Sequence, residues 1–386
     1  MMEKREGGCS RRERLEVMAT ALVPAALGKA APATILAGRL SWLAPALALP
    51  VGLGLCPVWE RLGKRDLSRG LEEAFGKAGG GVTAWLYLLW ALVLLADAAR
   101  RYSERLLTVS EGEGARWLFL LSALGLCLWL GRGCGERFAR AGRLLFLAVG
   151  ATLGAVLLLA LPGIDGQNLW PPEGADWRQL PGAGALCLSL GGYGIYALCL
   201  PRREEDEAKR VWPWAAGGGA VLAALLFIVV GTFGPTLTGG MREPFLFLLE
   251  GVQVPGAFRR GEAGLIAVLA LADLVLLTLL GRGATALWQR LIPVFPGLGW
   301  IPVTAAFALA GILPGLEQGW AWLAAAVPAG NLIFGVLLPV LSVLTIQARE
   351  RKKRRTTCSG RDDKGEADVA VKPDGKKSGG ENEKKC

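Results

Sequence analysis

The sequence predicts an all-α membrane protein of about ten transmembrane helices, arranged as a five-plus-five inverted repeat with helices one and six broken. Hydrophobic residues make up 52% of the 386 positions and charged residues only 20%. Apolar blocks of roughly 17 to 25 residues recur along the chain, and each can cross a hydrocarbon core of about 30 Å as a helix. Two of these blocks are interrupted near their middles by glycine and proline, as in transporters built from inverted repeats.

The apolar blocks are continuous and do not alternate with polar residues, which favours helices over strands. They place the ten predicted spans at residues 15–37, 41–58, 81–98, 115–131, 143–161, 183–200, 213–235, 262–280, 298–314 and 320–346.

The distribution of charge predicts how the helices are oriented. The N-terminal segment, the even-numbered loops and the stretch 349–355 together carry 26 Lys and Arg residues, whereas the odd-numbered loops carry 9. The positive-inside rule then predicts that both termini are cytoplasmic, which requires an even number of spans. Four arginines after span three, at 100, 101, 105 and 116, fall on the predicted outer side and are consistent with a helix that extends beyond the bilayer.

Three regions follow from this pattern. Residues 1–14 form a cytoplasmic N-terminal tail, residues 15–346 the ten-helix transmembrane permease-like domain, and residues 347–386 a basic cytoplasmic tail. The last region has too few apolar residues to offset the entropy of ordering a chain, so it is predicted to be disordered. Its RERKKRR cluster either fixes the topology or binds anionic lipid headgroups.

Composition also argues against several classes of function. The sequence contains no histidine, and its eight cysteines form no CxxC pair or zinc-like spacing. No phosphate-binding GxxxxGK[ST] loop is present. The net charge of +10 is concentrated at the predicted membrane borders, which argues against a nucleic-acid partner. We therefore predict that the protein is not an enzyme and has neither a cofactor nor a metal site.

The interruptions in spans one and six predict where a ligand site lies. Span one contains ALVPAALGKAAPAT, with Pro24, Gly28 and Pro32 around Lys29, and span six contains LCLSLGGYGIYALCLP. Proline removes a helical hydrogen bond and glycine weakens a helix, so both segments are expected to break. Backbone groups freed within a membrane must find partners in protein, water or ligand. The alternative is that these small residues only allow close helix packing.

Several segments resemble the B subunits of spore germinant receptors, which belong to the superfamily of amino acid, polyamine and organocation transporters. The matching segments are GRGCGERFARAGRLLF followed by LPGIDGQNLWPP, the sixth span with its exit CLSLGGYGIYALCLPRREEDEAKR, and VVGTFGPTLTGGMREPFLFLLEGVQVPGAFRRGEA; AGRLSWLAPALALP and LADAARRYSERLL match more loosely. Together they extend from about Leu15 to Ile346. The family often has Glu in the sixth-helix break where this chain has Gly194, so ligand preference does not carry over.

The resemblance implies a small-ligand site between the two breaks. Free amides there would hold an anionic group such as an amino acid carboxylate, and nearby carbonyls would hold an ammonium. The residues predicted to form this site are Ala25, Gly28, Ser189, Gly191, Gly192 and Tyr193.

Ionisable side chains inside predicted spans are the second group of candidates. Lys29 is either a tethered cation or proton-accepting amine at the site, or a residue that extends towards an interface. Asp97 precedes Arg101 by four residues and is predicted to pair with it. Asp273, with Thr278 five residues later, is predicted to join an ion-coupling site, and a direct Lys29–Asp273 ion pair would compensate both buried charges.

The resemblance favours a membrane subunit of a nutrient germinant receptor that senses a small nutrient such as an amino acid. Its partners would be the receptor A and C subunits and the lipid bilayer, and its location the spore inner membrane or the cell membrane. The alternative is a proton- or cation-coupled amino acid transporter, which needs the same cavity. A structural membrane scaffold is a third class, and it would require the two breaks to be accidental.

Overall fold

The structure is a computed structural model that describes residues 9–63, 67–108, 115–132, 135–170, 177–201, 211–251, 261–312 and 317–351. Within these ranges the chain is helical and contains no β-strand. Of the predicted disordered tail, residues 347–386, the first five residues are helical, and the residues from 352 onward lie outside the described part of the chain. The chain divides into two compact units, Met1–Val343 and Leu344–Cys386, and the described part of the second, residues 344–351, is helical.

The first half of the chain forms seven α-helices. They are α1 Arg11–Leu27, α2 Ala30–Ala37, α3 Ala44–Gly63, α4 Leu67–Leu107, α5 Ala115–Arg132, α6 Gly135–Ala160 and the short α7 Gly166–Leu169. A 3₁₀ segment, Gly38–Leu43, joins α2 to α3.

The second half begins with the broken sixth span. Its helices are α8 Leu180–Leu188, α9 Gly191–Gly194, α10 Trp212–Gly240, α11 Pro244–Gly251, α12 Gly261–Leu291, α13 Ile301–Ile312 and α14 Glu317–Leu332. A 3₁₀ segment, Ile195–Cys199, follows α9, and a π-helical segment, Ile333–Leu337, follows α14.

Seven described helices are long and apolar enough to cross a membrane: Ala30–Gly63, Leu67–Leu107, Arg137–Gly163, Leu180–Cys199, Trp212–Gly240, Gly264–Leu291 and Ala325–Arg351. Shorter apolar helices cover Ala115–Gly131 and Gly297–Ile312. The chain is therefore an all-α, multi-pass membrane protein, as the sequence predicts. The count of ten spans and the location of both termini stay predictions.

Local sequence explains where the helices begin, bend and end. Ser10 and Glu13 form a reciprocal capping box that starts α1, which satisfies two amides that the first helical turn leaves free. Glycines with positive φ bend two long helices: Gly76 (φ 81°) in α4 and Gly234 (φ 75°) in α10, the latter followed by Pro235.

The core has two apolar clusters. One joins α1, α4 and α12 with the sixth span, and its largest fully buried side chains include Tyr87, Tyr193 and Tyr196. The other joins α2, α8 and α10 and includes Leu226 and Phe245. Each broken span contributes residues to both clusters, so a change of the backbone at either break would alter the packing of both.

Candidate functional site

The first predicted break is present between α1 and α2. Helix α1 ends at Leu27, and α2 begins at Ala30. The amide of Gly28 donates to the Pro24 carbonyl (3.4 Å), and that of Lys29 donates to Ala26 (3.0 Å). The break is confirmed, but the prediction that the Gly28 amide is free for an anionic ligand is wrong, because a local turn uses it.

The sixth span breaks at Ser189 and Leu190, between α8 and α9. The Gly192 amide donates to the Ser189 carbonyl (3.1 Å), and the Ser189 hydroxyl donates to the carbonyl of Leu186 (2.6 Å). The predicted break is again confirmed. Its polar groups at Ser189 and Gly192 are occupied by the neighbouring turns, so the predicted free amide at Gly192 is also wrong.

Gly192 has a packing role that the sequence does not reveal. A Cβ placed on Gly192 would overlap the Asn331 side chain, and a Cβ on Gly335 would overlap the backbone of Gly191 and Gly192. Only glycine at both positions allows the sixth-span backbone to contact the π-helical segment. Gly192 therefore packs against the last helix and does not offer its Cα face to a ligand.

The π-helical segment is held by three aromatic side chains. The Tyr87 hydroxyl donates to the Phe334 carbonyl (2.8 Å), Trp59 Nε1 to the Gly335 carbonyl (3.3 Å) and Trp90 Nε1 to Asn331 Oδ1 (3.0 Å). Tyr87 and Trp59 satisfy backbone oxygens of the segment within the membrane, where an unpaired carbonyl is costly, and Trp90 holds the side chain of Asn331 just before it. π-Helical turns are often found at functional sites, and this one lies directly against the sixth-span break.

Lys29 lies at the first break with 5% of its surface exposed. Its electrostatic neighbours include Arg101, Asp97 and Cys187. Among the described residues, no carboxylate lies within 4 Å of its ammonium. Burying a cation within a membrane without a close counter-ion costs free energy. An anionic ligand that binds beside Lys29 would therefore stabilise this break.

Arg101 joins the two breaks. Its Nη2 atom forms the predicted ion pair with Asp97 (2.5 Å) and also donates to the Tyr193 hydroxyl (3.0 Å). A Cβ on Gly28 would lie 3.5 Å from Arg101 Nη1, so the guanidinium also lies against the first break. The sequence identifies the Asp97 pair from the four-residue spacing, but not the contacts with Gly28 and Tyr193.

Asp273 does not pair with Lys29, and that prediction is wrong. The Asp273 carboxylate binds Arg105 Nη1 (2.6 Å), and Arg105 Nη2 binds Glu243 (3.2 Å). Helix α4 continues through Leu107, which brings Arg105 into the bundle instead of leaving it in an outer loop. Thr278 donates to the Leu274 carbonyl of its own helix (2.7 Å) and makes no hydrogen bond to Asp273.

A cavity of about 660 Å³ borders both breaks. Leu27 lines it immediately before the first break, and Cys187, Leu190 and Gly191 line it around the second. Of the predicted ligand-binding residues, only Gly191 is among the lining residues; Ala25 and Tyr193 are buried in the core beside it. The other lining residues come from α1, α3, α6 and α10, with Val336 from the π-helical segment.

The site offers ligand-binding and charge chemistry but no metal chemistry that the structure identifies. In the described ranges, no three His, Cys, Asp or Glu side chains are grouped closely enough to hold a metal ion. In the described part of the chain, the charged groups of the network around the breaks include Lys29, Arg101, Arg105, Asp97, Asp273 and Glu243.

Comparison with known proteins assigns no family. No protein-family model matches the sequence, and no curated protein matches it either. One similar solved structure is a manganese transporter from Eremococcus coleocola in complex with an aromatic bis-isothiourea substituted compound. The match covers 86% of this chain and 74% of that one, with 14% identity and a TM-score of 0.36. A likeness of this degree assigns neither a fold family nor a cargo to the chain.

Proposed function

We propose that this chain is the membrane subunit of a nutrient germinant receptor, and that it binds a small nutrient with an anionic group between the broken first and sixth spans. One observation carries the proposal: the same cavity borders both breaks, and the buried ammonium of Lys29 lies at the first of them with no carboxylate within 4 Å in the part of the chain that the structure describes. The germinant role itself comes from the sequence resemblance. Its partners would be the receptor A and C subunits in a spore membrane.

Lys29 takes the place of the backbone amides in this proposal. The amides of Gly28 and Gly192 are already hydrogen-bonded, so they are not the groups that recognise an anion. Lys29 does not itself line the cavity, but its ammonium is an electrostatic neighbour of the lining residue Cys187 and would gain an ionic partner when a carboxylate reaches it. Such a charge-assisted bond is stronger than a neutral one. Small apolar parts of the nutrient would occupy the cavity beside Leu27 and Gly191.

Ligand binding would act on the receptor through the break geometry. Arg101 contacts the first break and holds the sixth through Tyr193, while Gly192 packs on the π-helical segment. A ligand that binds one arrangement of these elements more tightly than another shifts the population towards it. That shift is the signal that partner subunits would read.

The test compares Lys29→Gln with Lys77→Gln, which removes an exposed lysine from α4. Purified protein is screened against a panel of amino acids and other small carboxylates by ligand-induced thermal stabilisation. We expect a wild-type hit to disappear in Lys29→Gln, and to persist in the control. A hit that binds both variants equally would rule out Lys29 as its counter-charge.

Genetics tests the receptor role separately. Spores that lack this gene should stop responding to the nutrient that binds the purified protein, and the gene should lie beside those for A and C subunits and be expressed in the forespore. Normal germination of the deletion strain on every nutrient of the panel would contradict the receptor role while leaving the binding site intact.

A proton- or cation-coupled amino acid transporter is the second candidate. Contacts that link helices at both ends of the bundle support it. At one end Arg11 pairs with Glu60 (3.1 Å), and the Cys9 amide donates to Pro201 (2.9 Å). At the other, Arg105 pairs with Glu243. Alternating access requires closures that can open separately at each end. Uptake of a labelled ligand into proteoliposomes, abolished by Lys29→Gln, would support transport over sensing.

A further inference from the structure

The cavity opens towards the side of the helix bundle that faces lipid. Gly150 on α6 and Gly217, Gly218 and Val221 on α10 line it and are also exposed, with Val221 45% exposed. Both helices belong to segments long and apolar enough to span a membrane. The medium at this opening is therefore the bilayer.

The length of the cavity matches one leaflet of a bilayer. Along α6 the lining runs from Phe146 to Leu157, which is about 16 Å at 1.5 Å per residue. Half of a hydrocarbon core about 30 Å thick is about 15 Å. An acyl chain that enters from the side would have the same depth inside the cavity as in the leaflet it leaves.

The lining selects an apolar chain. Among the described residues that line it, none is Asp, Glu, Lys or Arg. The Thr20 hydroxyl donates to the Glu16 carbonyl (2.9 Å), and Cys56 Sγ donates to the carbonyl of Gly52 (3.4 Å). Since these two groups are already hydrogen-bonded within their own helices, they do not compensate a polar guest for the water that it loses.

Two arginines lie at one end of the cavity, just before the first lining residues of α1 and α6. Arg12 (2.8 Å) and Arg143 (4.0 Å) both approach the buried Glu16 carboxylate, and their side chains are 57% and 54% exposed. Glu16 lies one turn before the lining residue Thr20, and Arg143 lies one turn before Phe146. One carboxylate cannot neutralise two guanidinium groups, so these three side chains together carry a net charge of +1.

We propose that the cavity holds one acyl chain of an anionic phospholipid, whose headgroup lies against Arg12 and Arg143. The apolar lining, the depth of one leaflet and the positive rim agree with this one occupant. Arginine binds phosphate oxygens through its planar donors, which suits a phospholipid headgroup. The inference needs only the cavity and its rim and does not depend on the nutrient.

A regulatory consequence rests on the proposed function. The lining continues to Leu27 and Gly191 beside the two breaks, where the nutrient is proposed to bind. A bound acyl chain that reaches these residues would exclude the nutrient. The lipid would then act as an inhibitor that the nutrient must displace.

Glycines in the lining allow the cavity to be filled without distorting the fold. A Cβ on Gly150 or Gly154 meets no atom within 4 Å, and the same is true of Gly125, an exposed glycine on α5 that does not line the cavity. The test variant is Gly150→Leu with Gly154→Leu, and the control is Gly125→Leu. The full chain is purified, exposed to vesicles of phosphatidylglycerol or phosphatidylcholine, washed in detergent, and its retained lipid is counted by mass spectrometry.

We expect the wild-type chain and the Gly125→Leu control to retain phosphatidylglycerol, and the filled-cavity variant to retain about tenfold less. A tenfold loss corresponds to about two methylene groups of the acyl chain that are no longer buried in the cavity. Arg143→Gln should lower retention of phosphatidylglycerol about fivefold and leave phosphatidylcholine unchanged. Arg61→Gln, which removes an exposed cation that does not belong to the rim, is its control. Equal retention of the two lipids by the wild type would overturn the proposal.

A measurement on the wild-type chain tests the proposal even if the filled-cavity variant does not fold. Cys56 lines the cavity and is 7% exposed. Its alkylation by N-ethylmaleimide, resolved by peptide mass spectrometry, should be slower in phosphatidylglycerol-loaded protein than in delipidated protein. Equal rates would contradict occupancy of the cavity. Lipid retention is measured without nutrient, so this result stands whether or not a nutrient is found.

Discussion

The ion pair between Arg105 and Asp273 gives the sharpest quantitative test of the charge network. Both side chains are nearly inaccessible, with 3% and 4% of their surfaces exposed. Breaking a buried ion pair by removing one partner costs about 3–5 kcal/mol, because the other charge stays buried. Asp273→Leu should cost about 3 kcal/mol, the lower end, because Arg105 retains Glu243 at 3.2 Å. Arg105→Met should cost more, since it leaves Asp273 without an ion-pair partner.

The double variant distinguishes the Arg105–Asp273 pair from the Lys29–Asp273 pair that the sequence predicts. Replacing both partners removes this pair but leaves Glu243, which is 21% exposed, without Arg105, so Arg105→Met with Asp273→Leu should be less destabilising than Arg105→Met alone. The measurement is the unfolding free energy from titration with sodium dodecyl sulfate in mixed micelles, followed by circular dichroism. A parallel cycle with Lys29→Met and Asp273→Leu should show a much smaller coupling energy.

An exposed ion pair supplies the control. Arg290 and Glu72 lie 2.6 Å apart, with 32% and 41% of their surfaces exposed. Glu72→Gln should cost less than about 1 kcal/mol, as is usual for solvent-exposed pairs. If Asp273→Leu costs no more than Glu72→Gln, or if its strongest coupling is with Lys29, the network described above is refuted.

Three further predictions concern the breaks and bends. Gly335→Ala should destabilise the protein by about 1–3 kcal/mol in the same titration, because a Cβ there meets the Gly192 backbone; Gly125→Ala, with open space around it, should be nearly neutral, and equal effects would argue against the close contact. Gly76→Ala and Gly76→Asn should each destabilise the protein by about 1–3 kcal/mol, since φ 81° with ψ 174° is a backbone conformation that glycine alone adopts readily; either variant at wild-type stability would contradict this. Arg101→Lys should weaken nutrient binding at least about tenfold, because one ammonium cannot hold both Asp97 and Tyr193 in the geometry of a guanidinium; binding at wild-type affinity would rule out a role for Arg101 in joining the breaks.

Local features of the fold were predictable from sequence. Both breaks occur where glycine and proline interrupt apolar runs, and a helix break depends mainly on the residues within it. The Asp97–Arg101 pair was predictable for the same reason, because a spacing of four residues fixes its geometry on a helix.

Contacts between distant parts of the chain were not predictable. The arginines that follow span three are consistent with a helix that extends beyond the bilayer, and α4 does continue through Arg100, Arg101 and Arg105, but the contact of Arg105 with Asp273 on α12 is not visible in the sequence. Gly192 was interpreted as a ligand residue because its flexibility is visible in the sequence, whereas its partner Gly335 belongs to the last helix. Lys29 was recognised as a buried charge, but which carboxylate compensates which cation depends on the packing of four helices.

The π-helical segment Ile333–Leu337 makes the last helix sensitive to a kind of change that substitutions do not produce. A π-turn accommodates one residue more than the α-helix around it. Deleting a single residue there would restore ordinary α-helical hydrogen bonding, while the helix that follows would keep its orientation because the π-turn had absorbed the extra residue. The carbonyls of Phe334 and Gly335 that Tyr87 and Trp59 now hold would return to the helix, and the widened turn that places Gly335 against Gly192 would be lost. The length of this segment, together with the glycine at position 335, sets the contact between the last helix and the sixth span.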